Sequence, residues 1–383
     1  MREANRSELA AALAAAREST LQIFDRVAHS QWTVPYLSTI NPPLWEFGHV
    51  GWFQEYWCLR QPDGHEPTDS MMAGADALYD SRAIEHRSRW SLPLPEADPT
   101  RAYLCQTLDA TLARLARTRD DEASLYPFKL ALFHEYMHEE AFAYTWQTLG
   151  FPAARDQWRI APVAGDPARC EVGAGTVMVG SSRETGFVFD NEMWERRVAL
   201  EAYAIDAHPV TNAQFGRFVD SGGYDDARWW APQVFASLRA QSRSMPRYWR
   251  RDGGHAQERR FDRWVDLDPD APVANVSAHE AEAWCNWAGR RLPSEAQWVR
   301  AARVADGFRW GDRVWEWTAS TFEPLPGFEP GPYREYSAPF FGTHRVVRGG
   351  SFATPRAMVD DRFRNYYEPH RDDIFVGFRS CAA

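Results

Sequence analysis

The chain is predicted to be α+β: a four-helix bundle followed by a domain of short strands with little regular structure. Three observations predict it. Apolar residues recur at helical spacing over roughly the first 155 positions. Beyond about residue 156, Gly, Pro and Trp punctuate short β-like runs. The 18 Trp and 14% aromatic content exceed what a helical enzyme needs, and call for a loop-rich core built on buried rings. With 383 residues, 44% of them hydrophobic, the chain has material for two cores, so the expected units are 1–155 and 156–383.

The first predicted helix covers 7–28, where Leu9, Leu13, Leu21, Ile23 and Phe24 recur at helical spacing. The second covers 44–60, within "NPPLWEFGHVGWFQEYW". The third covers 100–117, with Leu104, Leu108, Leu112 and Leu115 on one stripe, and the fourth covers 125–149. Bundles of this kind commonly build metal sites from facing side chains. The link 61–98 is long for a bundle, and loops of that length often carry function. In the second half the β-like runs are "GTVMVGS", "RRVALEAYAI" and "HRVVRGGSF". Two helical pieces stand out there, "TNAQFGRFVDSG" and "SAHEAEAWCNWAGRR". Neither half shows an internal repeat or a low-complexity tract.

Charge and cysteine usage narrow the function classes. A net charge of −10 without a Lys/Arg run argues against nucleic acid or anionic membrane as partners. The five cysteines are scattered, odd in number and free of CxxC spacing, which argues against a disulfide framework or a thiolate zinc site and fits a reducing compartment. The N-terminus carries charges every few residues and lacks an apolar h-region, so it reads as an amphipathic helix and not a signal peptide. A cytoplasmic enzyme, working as a monomer on small molecules, is expected.

Residues 132–142, "LFHEYMHEEAF", carry the strongest chemical signal. Read as H-E-x-x-H, they form a zinc-hydrolase helix with Glu135 as general base. Read as H-x-x-x-H-x-E, they form a metal-binding face on which Glu135 is incidental. Residues four apart share a helix face, so His134 and His138 can address one ion. Phe133, Met137 and Ala141 make that stripe too apolar for a solvated surface. Glu140 falls about 120° around the helix from His134, which suits a supporting role better than ligation. The third ligand is expected from His49, a polar insertion among Leu44, Phe47, Val50 and Phe53 that an antiparallel bundle can turn toward the other two. Three neutral imidazoles accept zinc, iron(II), copper or nickel. Against the hydrolase, the helix runs on through "AFAYTWQTLG" without the HxxGxxH extension. The next 40 or so residues offer Glu171, Glu184 and Glu192 without a helical context to point one back.

"WEFGHVGWFQEYW" and "HEYMHEE" resemble the DinB-like domain of ergothioneine-type sulfoxide synthases, non-heme iron(II) enzymes whose metal is held by three histidines. "YAIDAHPVTNAQFGRFVDSGGY", "PVANVSAHEAEAWCNWAGRRLPSEAQWVRAAR", "VWEWTAS", "RVVRGGSFAT" and "IFVGFRS" resemble the formylglycine-generating-enzyme/sulfatase-modifying-factor fold, a C-type-lectin-like architecture. The resemblance covers nearly the whole chain in the right order. It implies that His49, His134 and His138 hold iron(II). It also implies that Tyr333 of "GPYREYSAPFFG" is the catalytic tyrosine, a proton-donating phenol beside an O2-binding metal, with Tyr336 next to the substrates. The family joins sulfur to C2 of the imidazole of hercynine, a trimethylated histidine. Its trimethylammonium group calls for aromatic faces. By resemblance, "RNYYEPHRDDIF" places Asn365 and Tyr366 at that group and Arg371 at an anion-binding position. Formylglycine generation itself uses a pair of cysteines, and Cys381 stands alone near the C-terminus.

Two departures bear on the substrate. Tyr367 stands where the family carries an acidic residue that reads the amino group of a thiol partner, often γ-glutamylcysteine. Met137 stands where many members carry a glutamine, and a thioether cannot hydrogen-bond an imidazole as an amide can. Both point to a less charged donor. The "NPPLWEFGHVGWFQEYW" wording is similar to the branch that includes selenoneine synthase, which joins hercynine to a selenosugar. The expected reaction is therefore O2-dependent C–Se bond formation between hercynine and a selenosugar. Tyr366, Tyr367 and some of the tryptophans would stack on the sugar ring. The alternative donor is γ-glutamylcysteine or cysteine. Arg87 and Arg89 in "SRAIEHRSRW" are candidate donor contacts.

Overall fold

The structure, a computed structural model, describes residues 1–60, 67–163, 168–182, 184 and 186–383. Helix α1 (Arg6–Phe24) opens on a capping box between Asn5 and Glu8 and buries Leu9, Leu13, Ile23 and Phe24. Helix α2 (Pro43–Glu55) starts on a proline and is buried along nearly its whole length, passing into a π-helical turn at Tyr56–Arg60. Helix α4 (Ala97–Leu115) follows the short α3 (Ala75–Tyr79), and α5 (Glu122–Leu149) ends where Gly150 adopts φ 70°. The four long helices are the four expected ones.

The link beginning at residue 61 proves to be more than a loop, although its residues 61–66 lie outside the described ones. It carries α3 and a 3-10 turn at His86–Trp90. Polar side chains of α2 and its π turn hold it. Trp52 Nε1 and the two terminal guanidinium nitrogens of Arg60 donate to Asp76, and Glu55 accepts from Ser70 Oγ and Met71 N–H. The link thus becomes a wall over α2.

Among the described residues the second half holds thirteen short strands. They are β1 (Arg169–Val172), β2 (Gly175–Val179), β3 (Arg196–Leu200), β4 (Tyr203–Asp206), β5 (Trp249–Asp252), β6 (His255–Arg260) and β7 (Arg263–Asp266). Next come β8 (Arg290–Arg291), β9 (Trp315–Thr321), β10 (Arg345–Gly349), β11 (Asn365–Tyr367), β12 (Val376–Phe378) and β13 (Cys381–Ala382). They form sheets ordered β1-β4-β13-β8 and β11-β10-β9-β12, a β2-β3 pair and a β5-β6-β7 meander. Helices α6 (Asn212–Asp220), α7 (Pro232–Ala240), α8 (Ala278–Ala288) and α9 (Glu295–Val304) pack around them.

Three features differ from expectation. The run "RRVALEAYAI" is two strands in two sheets, broken at Glu201 and Ala202. Helices α7 and α9 join the two expected ones; α9 had a legible start in the Ser294–Gln297 capping box. The β5-β6-β7 meander was not anticipated because its strands are rich in arginine and lack apolar alternation. The expectation of two separate cores is also corrected. One apolar cluster runs from Trp45 and Phe133 in the bundle through Phe189 to Trp315 and Phe378 in the second half. No helix of the described residues is long and apolar enough to cross a membrane.

Buried arginine–carboxylate pairs brace the second half where regular ladders are short. Glu295 accepts from Arg348 and Arg364 at 2.6 and 2.7 Å, and Arg379 grips both oxygens of Glu316. Burial alone would raise the Glu295 carboxyl, but Arg364 and Arg348 outweigh it and hold the group at about 2. The sign follows: the stabilisation is complete above the ordinary carboxylate value and is lost as pH falls toward 2. Glu295→Gln should cost about 3 kcal/mol in urea unfolding at pH 7, and the gap from the parent should close as the titrations approach pH 2.

Candidate metal centre

Helix α5 turns His134 and His138 into the bundle, and α2 brings His49 to meet them. Their ligand atoms all lie within 4.8 Å of one another, and the triad is the metal-type cluster found among the described residues. The Nε2 atoms of His134 and His138 are 3.2 Å apart. That spacing is compatible with two ligands of one ion whose bonds are about 2.1 Å. Burial first, and then the neighbouring imidazoles, push His49 and His134 well below the ordinary histidine value. Both are therefore neutral at physiological pH and present lone pairs. The donor set fits a divalent transition metal.

Two partners orient these rings. His49 Nδ1 faces the Tyr79 carbonyl at 2.8 Å, and His138 Nδ1 faces Glu46 Oε1 at 2.8 Å. Each contact leaves Nε2 for an ion, the usual arrangement behind a ligating imidazole. Glu46 was missed in the sequence. Its signal was position: it lies one helical turn before His49, so both residues share the metal-facing side of α2. Its Oε2 is buried without a protein partner.

Aromatic rings enclose the triad. Trp45 stacks on His49 with centroids 4.8 Å apart and planes at 9°, and Phe53 stacks on His134 at 3.5 Å and 4°. The Arg89 guanidinium lies 4.0 Å over Trp45 and donates to Asn41 at 2.7 Å. Its Nε is buried without a partner, and burial pulls the group down to about 10. Arg87, by contrast, is exposed and sits over the Tyr36 ring at 5.1 Å.

Glu135 faces away from the triad. It accepts from Arg17 Nε and Nη2 at 2.8 and 3.1 Å and from Thr20 Oγ1 at 2.8 Å, deep between α1 and α5. A carboxylate so engaged is no general base for a metal-bound water, and the H-E-x-x-H match carries no hydrolase site. Glu140 also avoids the imidazoles. It accepts from Trp315 Nε1, Ser351 Oγ and Thr354 Oγ1 at 2.8, 2.6 and 2.7 Å, joining α5 to the second half. Met137 is half-buried, and its sulfur accepts from the Tyr336 hydroxyl at 3.6 Å.

The second half brings tyrosines to this region. Tyr333 meets Phe53 edge to face at 5.2 Å, so its ring reaches His134 through Phe53, and burial raises its phenol to about 12. Tyr336 stacks on Phe189 at 4.8 Å. On β11 the side chains alternate. Asn365 and Tyr367 share one face, their polar atoms 3.3 Å apart, while Tyr366 stacks on Phe322 at 3.9 Å on the other. The Tyr366 hydroxyl donates to the Tyr336 carbonyl. Arg371 is paired with both oxygens of Asp373 at 2.6 and 2.9 Å and lies 5.7 Å from the Tyr367 ring centroid.

Residues 12–142 match the DinB superfamily, and residues 161–314 and 310–383 match the Sulfatase-modifying factor enzyme 1-like domain. The chain is 32% identical to the hercynine oxygenase of Mycolicibacterium smegmatis, over 98% of each chain. It is also 32% identical to that of Mycobacterium tuberculosis, over 97% of this chain and 98% of the relative. A formylglycine-generating enzyme of Streptomyces coelicolor is 26% identical over 54% of this chain and 86% of its own length.

Three outcomes follow from the geometry. Glu46→Ala should weaken Zn(II) or Fe(II) binding by the metal-free chain about 10- to 100-fold, read by competition titration with the helical circular dichroism unchanged. Glu135→Ala strands Arg17 and should cost about 3–5 kcal/mol in urea unfolding, while Glu135→Gln leaves metal affinity at the parent value.

Proposed function

The chain belongs to the hercynine oxygenase family and is an oxidoreductase, and we propose that it forms a carbon–selenium bond between C2 of the hercynine imidazole and a selenosugar, using iron(II) and O2. The metal is held by His49, His134 and His138, with Glu46 aiming His138. When bound, iron(II) with open positions supplies the O2 chemistry. Tyr333 is the catalytic phenol. Raised to about 12, it keeps its proton at neutral pH and has one to give. Asn365, beside Tyr367 on one face of β11, receives the trimethylammonium group; Tyr366 lies on the opposite face against Phe322 and drops out of that contact, and Tyr336 and Met137 close the floor between the two halves. Arg371, Tyr367 and the loop bearing Arg87 face the donor.

One observation carries the choice of donor. By the resemblance, Tyr367 stands where the family carries an acidic residue that reads an ammonium, and the carboxylates beside it are already engaged. Asp373 is paired with Arg371, and Glu140 accepts three hydrogen bonds. An ammonium placed there would be left without a counter-charge in a buried setting, which is costly, whereas a neutral sugar would not. The second reading, a sulfur donor such as γ-glutamylcysteine or cysteine, is favoured by the 32% identical relatives named hercynine oxygenase. We further take 1–155 and 156–383 as the two units, a monomer as the working form, and the cytoplasm as its place, in keeping with five unpaired cysteines.

Anaerobic reconstitution with Fe(II), followed by O2, hercynine and either 1-selenoglucose or γ-glutamylcysteine, tests the reading. The selenosugar should give the higher kcat/KM by at least about tenfold, the scale of one lost charge contact. A reversed ratio assigns the thiol donor, and no O2 uptake with either donor overturns the reaction class. Tyr333→Phe should lower kcat by about 10²–10⁴ at unchanged metal content.

A further inference from the structure

The segment that carries Tyr333 has almost no structure of its own. Between β9 and β10 it makes only two 3-10 turns, Arg334–Tyr336 and Ala338–Phe340. From residue 326 to 345 one residue, Ser337, is buried, and it is 0% exposed. A serine is an odd choice for an apolar anchor. Its hydroxyl explains it: Ser337 Oγ donates to Asp190 Oδ1 at 2.5 Å. The other oxygen of Asp190 accepts from the Gly331 N–H at 3.4 Å. One carboxylate therefore pins the chain two residues before Tyr333 and four residues after it.

Asp190 is itself 4% exposed, and none of the ion pairs among the described residues includes it. An unpaired buried carboxylate is costly, and hydrogen bonds to the Tyr333 segment are what offset the cost here. The turn that bears it, Asp190–Glu192, is held rigidly from behind. Glu192 accepts from both terminal nitrogens of Arg2 at 2.6 and 2.7 Å and from the Phe189 N–H at 3.2 Å. Phe189 in turn stacks on Tyr336.

We infer that Asp190 is a positioning residue for Tyr333: through Gly331 and Ser337 it holds that phenol against Phe53, at the wall of the histidine cluster. The inference rests on Tyr333 as the catalytic phenol, and the test separates the two. In the metal-free protein, Asp190→Ala and Ser337→Ala should each speed hydrogen exchange of the 331–337 amides at least about tenfold, with exchange in α5 unchanged. In the iron-loaded enzyme each should lower kcat about tenfold while KM for hercynine stays within a factor of two, and Asp190→Asn should restore part of the loss. In a Tyr333→Phe background, Asp190→Ala should lower kcat no further. Unchanged exchange, or an undiminished loss in the Phe background, overturns the positioning role. If Tyr333→Phe alone leaves kcat unchanged, it is the assignment of Tyr333 that fails. If Asp190→Ala does not fold, Ser337→Ala and Asp190→Asn carry the same comparisons.

Discussion

Everything at this site depends on how helix α5 is held about its own axis. At 100° per residue, Glu135 lies about 100° to one side of His134 and Glu140 about 120° to the other, with His138 only about 40° away. Glu135 is locked to Arg17 and Thr20 of α1, and Glu140 to Trp315, Ser351 and Thr354 of the second half. Two buried carboxylates facing different partners leave the helix one rotation that satisfies both, and in that rotation the histidines look at α2. Rolling α5 would break the buried Arg17–Glu135 pair, at a cost of several kcal/mol, and would leave the buried Glu140 carboxyl without its three hydrogen bonds.

Helix α2 answers with a ligand and with the means of aiming one. His49 and Glu46 are one turn apart; the first joins the imidazole cluster and the second fixes the ring of His138. The surrounding indoles and phenyls exclude water, which keeps His49 and His134 neutral and makes them acceptors of a cation. The same exclusion makes the unpartnered Nε of Arg89 and Oε2 of Glu46 notable, because buried polar atoms without protein partners suit a bound polar molecule.

The second half follows another economy. Its strands are short, and arginines buried against carboxylates do the work that longer ladders do elsewhere: Arg379 on Glu316, Arg348 and Arg364 on Glu295, Arg2 on Glu192. Such pairs bring together residues distant in sequence, and no local periodicity announces them. The turn at Asp190 escaped notice in the sequence for that reason, whereas the β5-β6-β7 meander did so because its arginine-rich strands lack apolar alternation. The four long helices, whose burial follows their 3.6-residue repeat, were legible almost to their ends. In the link after residue 60, α3 and its contacts to α2 were not, since they depend on Asp76 and Glu55 meeting partners across a turn.

By itself, the sequence determined the helical bundle, the α+β order of the halves and the three histidines. Helical spacing and an imidazole in an apolar stripe are local facts. Resemblance, and not spacing, singled out Tyr333, Asn365 and Arg371. Only the tertiary structure decided what the neighbouring acids do. It made Glu135 and Glu140 braces, made Glu46 the partner of His138, and divided β11 between two faces. A carboxylate's role is set by which donor lies within 3 Å of it, and that distance exists only once the chain has folded.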